Sequence, residues 1–111
     1  MEFISIRRKI NRHTFISEEK IFVNPKRLSL DLGGLRLKSI SNAIGLEKLV
    51  NLRRLELQGN GLTKIEGLED LNNLQELFLS SNNISKIENL GSLTNLKTLF
   101  LDDTKVTRIQ G

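Results

Sequence analysis

Asn51 to Asn72 reads NLRRLELQGNGLTKIEGLEDLN, and the spacing of its leucines decides the fold. Leu55 and Leu57 alternate with Arg54, Glu56 and Gln58, the spacing of a strand that turns its leucines to one side and its polar residues to the other. Leu62, Ile65, Leu68 and Leu71 then recur every third residue, which suits a tight turn followed by short helical or 3₁₀ pieces. Such a unit is a strand, a turn and a return arc. Alone it cannot cover its leucines, so it needs neighbours of the same kind.

The neighbours follow at a period of 22 residues: NLQELFLSSNNISKIENLGSLT (Asn73 to Thr94) and NLKTLFLDDTKVTRIQG (Asn95 to Gly111). The apolar columns coincide as Leu52, Leu74, Leu96; Leu55, Leu77, Leu99; Leu57, Leu79, Leu101; Leu62, Ile84, Val106; and Ile65, Ile87, Ile109. Leu68 with Leu90 and Leu71 with Leu93 complete the arcs. An imperfect row precedes them, with Leu30, Leu32, Leu37, Ile40, Leu46 and Leu49 in the same places and about three extra residues in SNAIG after Ile40. An insertion is expected in the arc, where it does least harm.

The pattern L-x-x-L-x-L-x-x-N-x-L stands at Leu52, Leu55, Leu57, Asn60, Leu62 and again at Leu74, Leu77, Leu79, Asn82, Ile84, and it resembles the leucine-rich repeat family. The short form with I-x-x-L-x-x-L after it is similar to the subclass typified by the nuclear regulatory subunit of protein phosphatase 1. The resemblance covers residues 27–111. It implies an α/β repeat solenoid, with parallel strands on a concave face and short helical or 3₁₀ return arcs. Residues 1–26 then form a basic N-terminal segment and cap, ahead of repeats at 27–50, 51–72, 73–94 and an incomplete 95–111. In function the resemblance implies binding of another protein through the concave sheet, with no particular partner.

Asn60 and Asn82 stand where the chain turns off the strand, and a side-chain amide there can pair with backbone of its own and the neighbouring row. Thr104 holds this place in the last row and can offer a hydroxyl, whereas Leu35 in the first cannot, so the ladder is expected to begin at Asn60. The outward columns read Ser29, Arg54, Glu76, Thr98; Asp31, Glu56, Phe78, Phe100; and Gly33, Gln58, Ser80, Asp102. Phe78 and Phe100 alternate with leucines and so point away from the core. Adjacent exposed aromatics are typical interface anchors, although two rings stacked on one another would also account for them. Candidate partner-binding residues are therefore Arg54, Glu56, Gln58, Glu76, Phe78, Ser80, Phe100 and Asp102.

The charge is placed unevenly. The net charge of +4 belongs wholly to Met1 to Arg27, while ten basic and ten acidic residues balance from Leu28 onward. Arg7, Arg8, Lys9 and Arg12 could meet an anionic partner, against the blander reading of a solubilising tail or cap surface. After them, HTFISEEKIFVNP alternates apolar residues at Phe15, Ile21 and Val23, and short strands or extended chain there are expected to cover the first row. Lys64, Lys86 and Arg108 form a column on the arc, but Glu66, Glu88 and Gln110 shadow it, so weak surface pairs are expected rather than a nucleic-acid stripe.

With no cysteine, disulfides and thiolate chemistry are excluded, and His13 as the single imidazole leaves little scope for zinc. No apolar run approaches the roughly 20 residues of a membrane span. Charges in MEFISIRRKINR occupy the place of a secretory apolar block, so a cytoplasmic location is expected. No nucleophile and base pairing, phosphate loop or carboxylate cluster is visible. Neither an enzyme nor a cofactor is expected.

Four strands span only about 15 Å at the spacing of paired strands and, with some four exposed residues each, offer a few hundred square ångströms, short of the roughly 800 Å² per partner of a standard interface. Further repeats or another domain are thus expected beyond Gly111, as in a regulatory segment ahead of a GTPase or kinase. The last row stops before the equivalents of Leu90 and Leu93, so fraying from Leu96 onward is expected.

Overall fold

The computed structural model describes residues 2–9, 15–23, 26 and 28–109. Its centre is a parallel sheet of four short strands, β3 (Ser29–Asp31), β5 (Arg54–Glu56), β6 (Glu76–Phe78) and β8 (Thr98–Phe100), in that spatial order. Pairing is in register from row to row: Ser29, Arg54, Glu76 and Thr98 lie side by side, as do Leu30, Leu55, Leu77 and Leu99. The ladder continues beyond the strands, through Leu57 N–H to Phe78 C=O at 2.8 Å and Gly59 N–H to Ser80 C=O at 3.1 Å. This regularity follows from the repeat, because equal row lengths bring equivalent backbone groups to equal heights.

The threefold spacing of the arc leucines becomes a chain of tight turns. Leu71 N–H donates to Leu68 C=O and Leu74 N–H to Leu71 C=O, both at 3.0 Å, and Leu93 and Leu96 repeat the pattern one row on. In the first row the arc holds two 3₁₀ turns, Ile40–Asn42 and Leu46–Lys48. No α-helix occurs among the described residues. A two-stranded parallel sheet joins β7 (Lys86–Ile87) to β9 (Arg108–Ile109) on the arc side. Parallel strands with 3₁₀ arcs are consistent with the repeat fold that the spacing implies.

Asparagines clasp the rows at their outer edge as well. Asn73 Nδ2 donates to Val50 C=O at 2.9 Å and Asn95 Nδ2 to Asn72 C=O at 2.8 Å. These are the first residues of their rows, and their recurrence at the repeat period is the sequence signal of a second set of ties between rows.

One aliphatic core runs through the rows. Leu55, Leu57, Leu62, Ile65, Leu68 and Leu71 of the second row are fully buried, as are Leu74, Leu77, Leu79 and Ile84 of the third. In the fourth row Leu96, Leu99, Leu101 and Val106 are only half-buried, because no further row covers them among the described residues.

The cap departs from the expectation in two ways. Strand β1 (Glu2–Lys9) pairs antiparallel with β2 (Phe15–Val23) on one side and with β4 (Ala43–Ile44) on the other. Thus the sheet order is β2-β1-β4, and β1 is the strand next to the repeats. Ile4 and Ile6 of β1 are fully buried and join the core, so the cover over the first row comes from this segment, one step earlier in the chain than Phe15, Ile21 and Val23. The SNAIG insertion is not merely tolerated: it supplies β4, with Ile6 opposite Ala43 and Ser5 opposite Ile44. A sheet therefore crosses the boundary drawn at residue 26. Arg7, Arg8 and Lys9 belong to β1 and so to the cap rather than to a tail; Arg12 and His13 lie outside the described residues.

Candidate functional site

The exposed side of the four-stranded sheet brings the candidate residues together. Phe78 and Phe100 are paired neighbours on parallel strands, and in-register pairing sets equivalent side chains one strand spacing apart. Their rings stack with centroids 4.4 Å apart and planes inclined by 10°. The Arg54 guanidinium lies 4.4 Å from the Phe78 centroid. Glu56 at 3.5 Å and Glu76 at 3.6 Å draw the same guanidinium from its own row and the next. The result is a continuous tier of Arg54, Phe78 and Phe100 across three rows. Phe100 still exposes 36% of its surface, so stacking on Phe78 does not hide it.

Next to this tier the backbone leaves the strands. Gly33 allows the Gln58 amide to lie over it, since a Cβ at Gly33 would sit 2.7 Å from Gln58 Nε2. Gln58 Oε1 is buried and accepts no hydrogen bond. Ser80 is half-buried beside it in the third row, and Asp102 is exposed in the fourth. At the first of these positions the Gly33 N–H donates to Asp31 Oδ1 at 2.9 Å.

Beneath the face, the asparagine ladder fixes where each strand ends. Asn60 Oδ1 accepts from Leu35 N–H at 2.9 Å and Leu37 N–H at 3.2 Å, while its Nδ2 donates to Leu32 C=O and Leu57 C=O. Asn82 repeats this one row on, accepting from Asn60 N–H and Leu62 N–H and donating to Leu57 C=O and Leu79 C=O. Each amide is buried and satisfied on both ends. Through Asn60 the second row also supplies what Leu35 cannot provide for the first. Thr104 donates to Leu101 C=O at 2.8 Å within its own row.

On the arc side, Lys86 Nζ meets Glu88 at 3.2 Å, and both side chains are partly solvated. This is a local surface pair, worth at most about 1 kcal/mol. A separate cleft of about 400 Å³ lies between the first arc and the second, lined by Ile40, Ile44, Leu46, Glu47, Glu69 and Asp70. It follows from the insertion that forms β4, and nothing in the repeat columns foretold it. Among the described residues no group of three or more His, Cys, Asp or Glu side chains gathers as a metal site, and no helix is long and apolar enough to cross a membrane.

Residues 72–111 match the family model described as Leucine Rich repeats (2 copies). The match supports a leucine-rich repeat protein, a kind of chain that generally mediates protein–protein interaction and is typically not an enzyme. No curated protein matches the chain.

Proposed function

We propose that the chain is a protein-binding module that receives its partner on the exposed side of the four-stranded sheet. The observation that carries this reading is the tier of Arg54, Phe78 and Phe100, a guanidinium and two stacked aromatic rings on a surface open to solvent. Aromatic and arginine side chains dominate binding energy at interfaces because they bring large contact area with little flexibility left to lose. Here the strands fix the ring spacing, and the two carboxylates beside Arg54 fix the guanidinium, so little ordering remains for the moment of association.

Across the four strands described, about 4.8 Å apart, an extended segment can lie with its side chains over successive rows. A photo-crosslinking residue placed at Ser80, expressed in cells, tests the reading against the same residue placed at Glu69 on the arc. Adducts of defined mass from the Ser80 position, lost when Phe78 and Phe100 are both changed to Ser, are the expected result. Adducts from Glu69 alone would move the site to the arc and end the proposal.

A further inference from the structure

The exposed sheet face carries a sign of charge opposite to that of the chain. Asp31, Glu56, Glu76 and Asp102 set four carboxylates on it against the guanidinium of Arg54, although the protein as a whole has a net charge of +4. That guanidinium is already engaged by Glu56, Glu76 and the Phe78 ring. Asp31 and Asp102 are exposed, and among the described residues no cation pairs with either. Gln58 Oε1 adds a buried acceptor with no donor, which an amide rotation would present to an incoming N–H. The face thus carries more carboxylates than cations.

Aromatic geometry points the same way. Arg54 and Phe100 both lie against the Phe78 ring, and Phe100 leaves 36% of its own surface exposed. A cation is attracted to an exposed ring, and more strongly with a carboxylate nearby. Arg54 over Phe78, flanked by Glu56 and Glu76, is an example of that arrangement within the molecule itself.

We propose that the occupant of this face is an extended basic peptide segment, which lays a Lys or Arg side chain against the exposed part of the Phe100 ring and pairs it with Asp102. This rests on the reading of the sheet as the binding face and adds the chemistry of the partner. Phosphate-bearing partners are disfavoured on the same ground, since four carboxylates repel them.

The test uses the full 111-residue chain, labelled with ¹⁵N and titrated with a short peptide of alternating Lys and Leu carrying one Trp. Because the protein has no Trp, fluorescence reports the peptide alone. The expected result is shifts in the amides of 54–58, 76–80 and 98–102, with binding that weakens as salt rises. Combined Glu76→Gln and Asp102→Asn changes should weaken binding roughly tenfold. Phe100→Leu, which keeps an apolar side chain but removes the π face, should weaken it about threefold, and Glu69→Gln on the arc should leave it unchanged.

Equal binding of a peptide with Glu in place of Lys would overturn the proposal. So would shifts of the same amides on concentrating the protein alone, which would make a second copy the occupant. Adducts at Ser80 without basic-peptide binding would end the charge assignment and leave the binding face standing. Peptide shifts confined to the arc would end both.

Discussion

Asn82 Oδ1 accepts the backbone N–H of Asn60 at 3.0 Å, across 22 residues of sequence and one step of the sheet. The same oxygen takes Leu62 N–H at 2.9 Å, so one side-chain atom satisfies two buried donors of the preceding row. Asn82→Ala would leave both without a partner and remove the donor to Leu79 C=O, while Leu57 C=O would keep its bond from Asn60 Nδ2. A buried donor left unmade costs about 1–3 kcal/mol. Urea denaturation should show a clear loss for Asn82→Ala and a similar one for Asn60→Ala. Thr104→Ala, which removes a single part-buried bond to Leu101, should cost about 1 kcal/mol or less. An order in which Thr104→Ala is the most damaging would contradict the ladder.

Burial falls off along the stack, and stability should fall with it. Leu77 is fully buried, whereas Leu99, its in-register neighbour, is half-buried. Truncating a fully buried leucine costs about 2–5 kcal/mol, and a half-covered one proportionally less. Leu77→Ala should therefore lower the unfolding free energy by at least twice as much as Leu99→Ala. Hydrogen exchange gives an independent check: amides of β8 should exchange faster than those of β6 because local opening there exposes less new apolar surface. Equal protection of the two strands would show that the fourth row is as firmly held as the third.

These contrasts separate what was legible in the sequence from what was not. Row-to-row register could be read in advance because a fixed period leaves one way to align Leu55, Leu77 and Leu99, and the outward columns follow from alternation. The stacking of Phe78 on Phe100 was among the open readings for the same reason. The cap was harder, since it does not repeat. Ile4 and Ile6 alternate with Ser5 in a pattern as strand-like as that of Phe15, Ile21 and Val23, but Arg7, Arg8 and Lys9 directly after them drew the segment toward a tail. Ala43 and Ile44 could not be matched to β1 either, because their pairing joins positions far apart with no periodic relation. The register of β7 and β9 follows the columns, Lys86 beside Arg108 and Ile87 beside Ile109, but whether these arc segments pair as strands depends on where the arcs settle, which the columns do not carry.

The contribution of the aromatic tier to folding should be small, as a binding surface requires. Phe100 lies at the edge of the tier and is exposed, so Phe100→Ala should destabilise by about 0.5–1.5 kcal/mol, the value of a stacked pair. Arg54→Ala loses an exposed cation–π contact of about 0.5–1 kcal/mol and two surface ion pairs of little net value. A double-mutant cycle between Arg54→Ala and Phe78→Ala should return a coupling energy below about 1 kcal/mol. A coupling several times larger would mean that the tier is a structural clasp holding three rows together.

Every row leaves its strand through a residue with positive φ: Gly34 at 69°, Gly59 at 67°, Ser81 at 57° and Asp103 at 55°. The turn therefore demands the left-handed region at one place in the repeat, and the change from Gly to Ser to Asp disguised that demand in the sequence. Gly59 separates the backbone effect from packing, because a Cβ there would find no heavy atom closer than 4.0 Å. Gly59→Ala should thus cost about 1–2 kcal/mol, the penalty of the left-handed conformation for a residue with Cβ, reduced by the lower entropy of the unfolded Ala chain. The reverse change, Ser81→Gly, relieves the same penalty and loosens the unfolded chain, so its net effect should lie within about 1 kcal/mol of zero. Thermal unfolding of the two variants reads both signs. If Gly59→Ala proves neutral, the turn has another conformation open to it, and the shared geometry of the four rows is not what holds the strand ends in place.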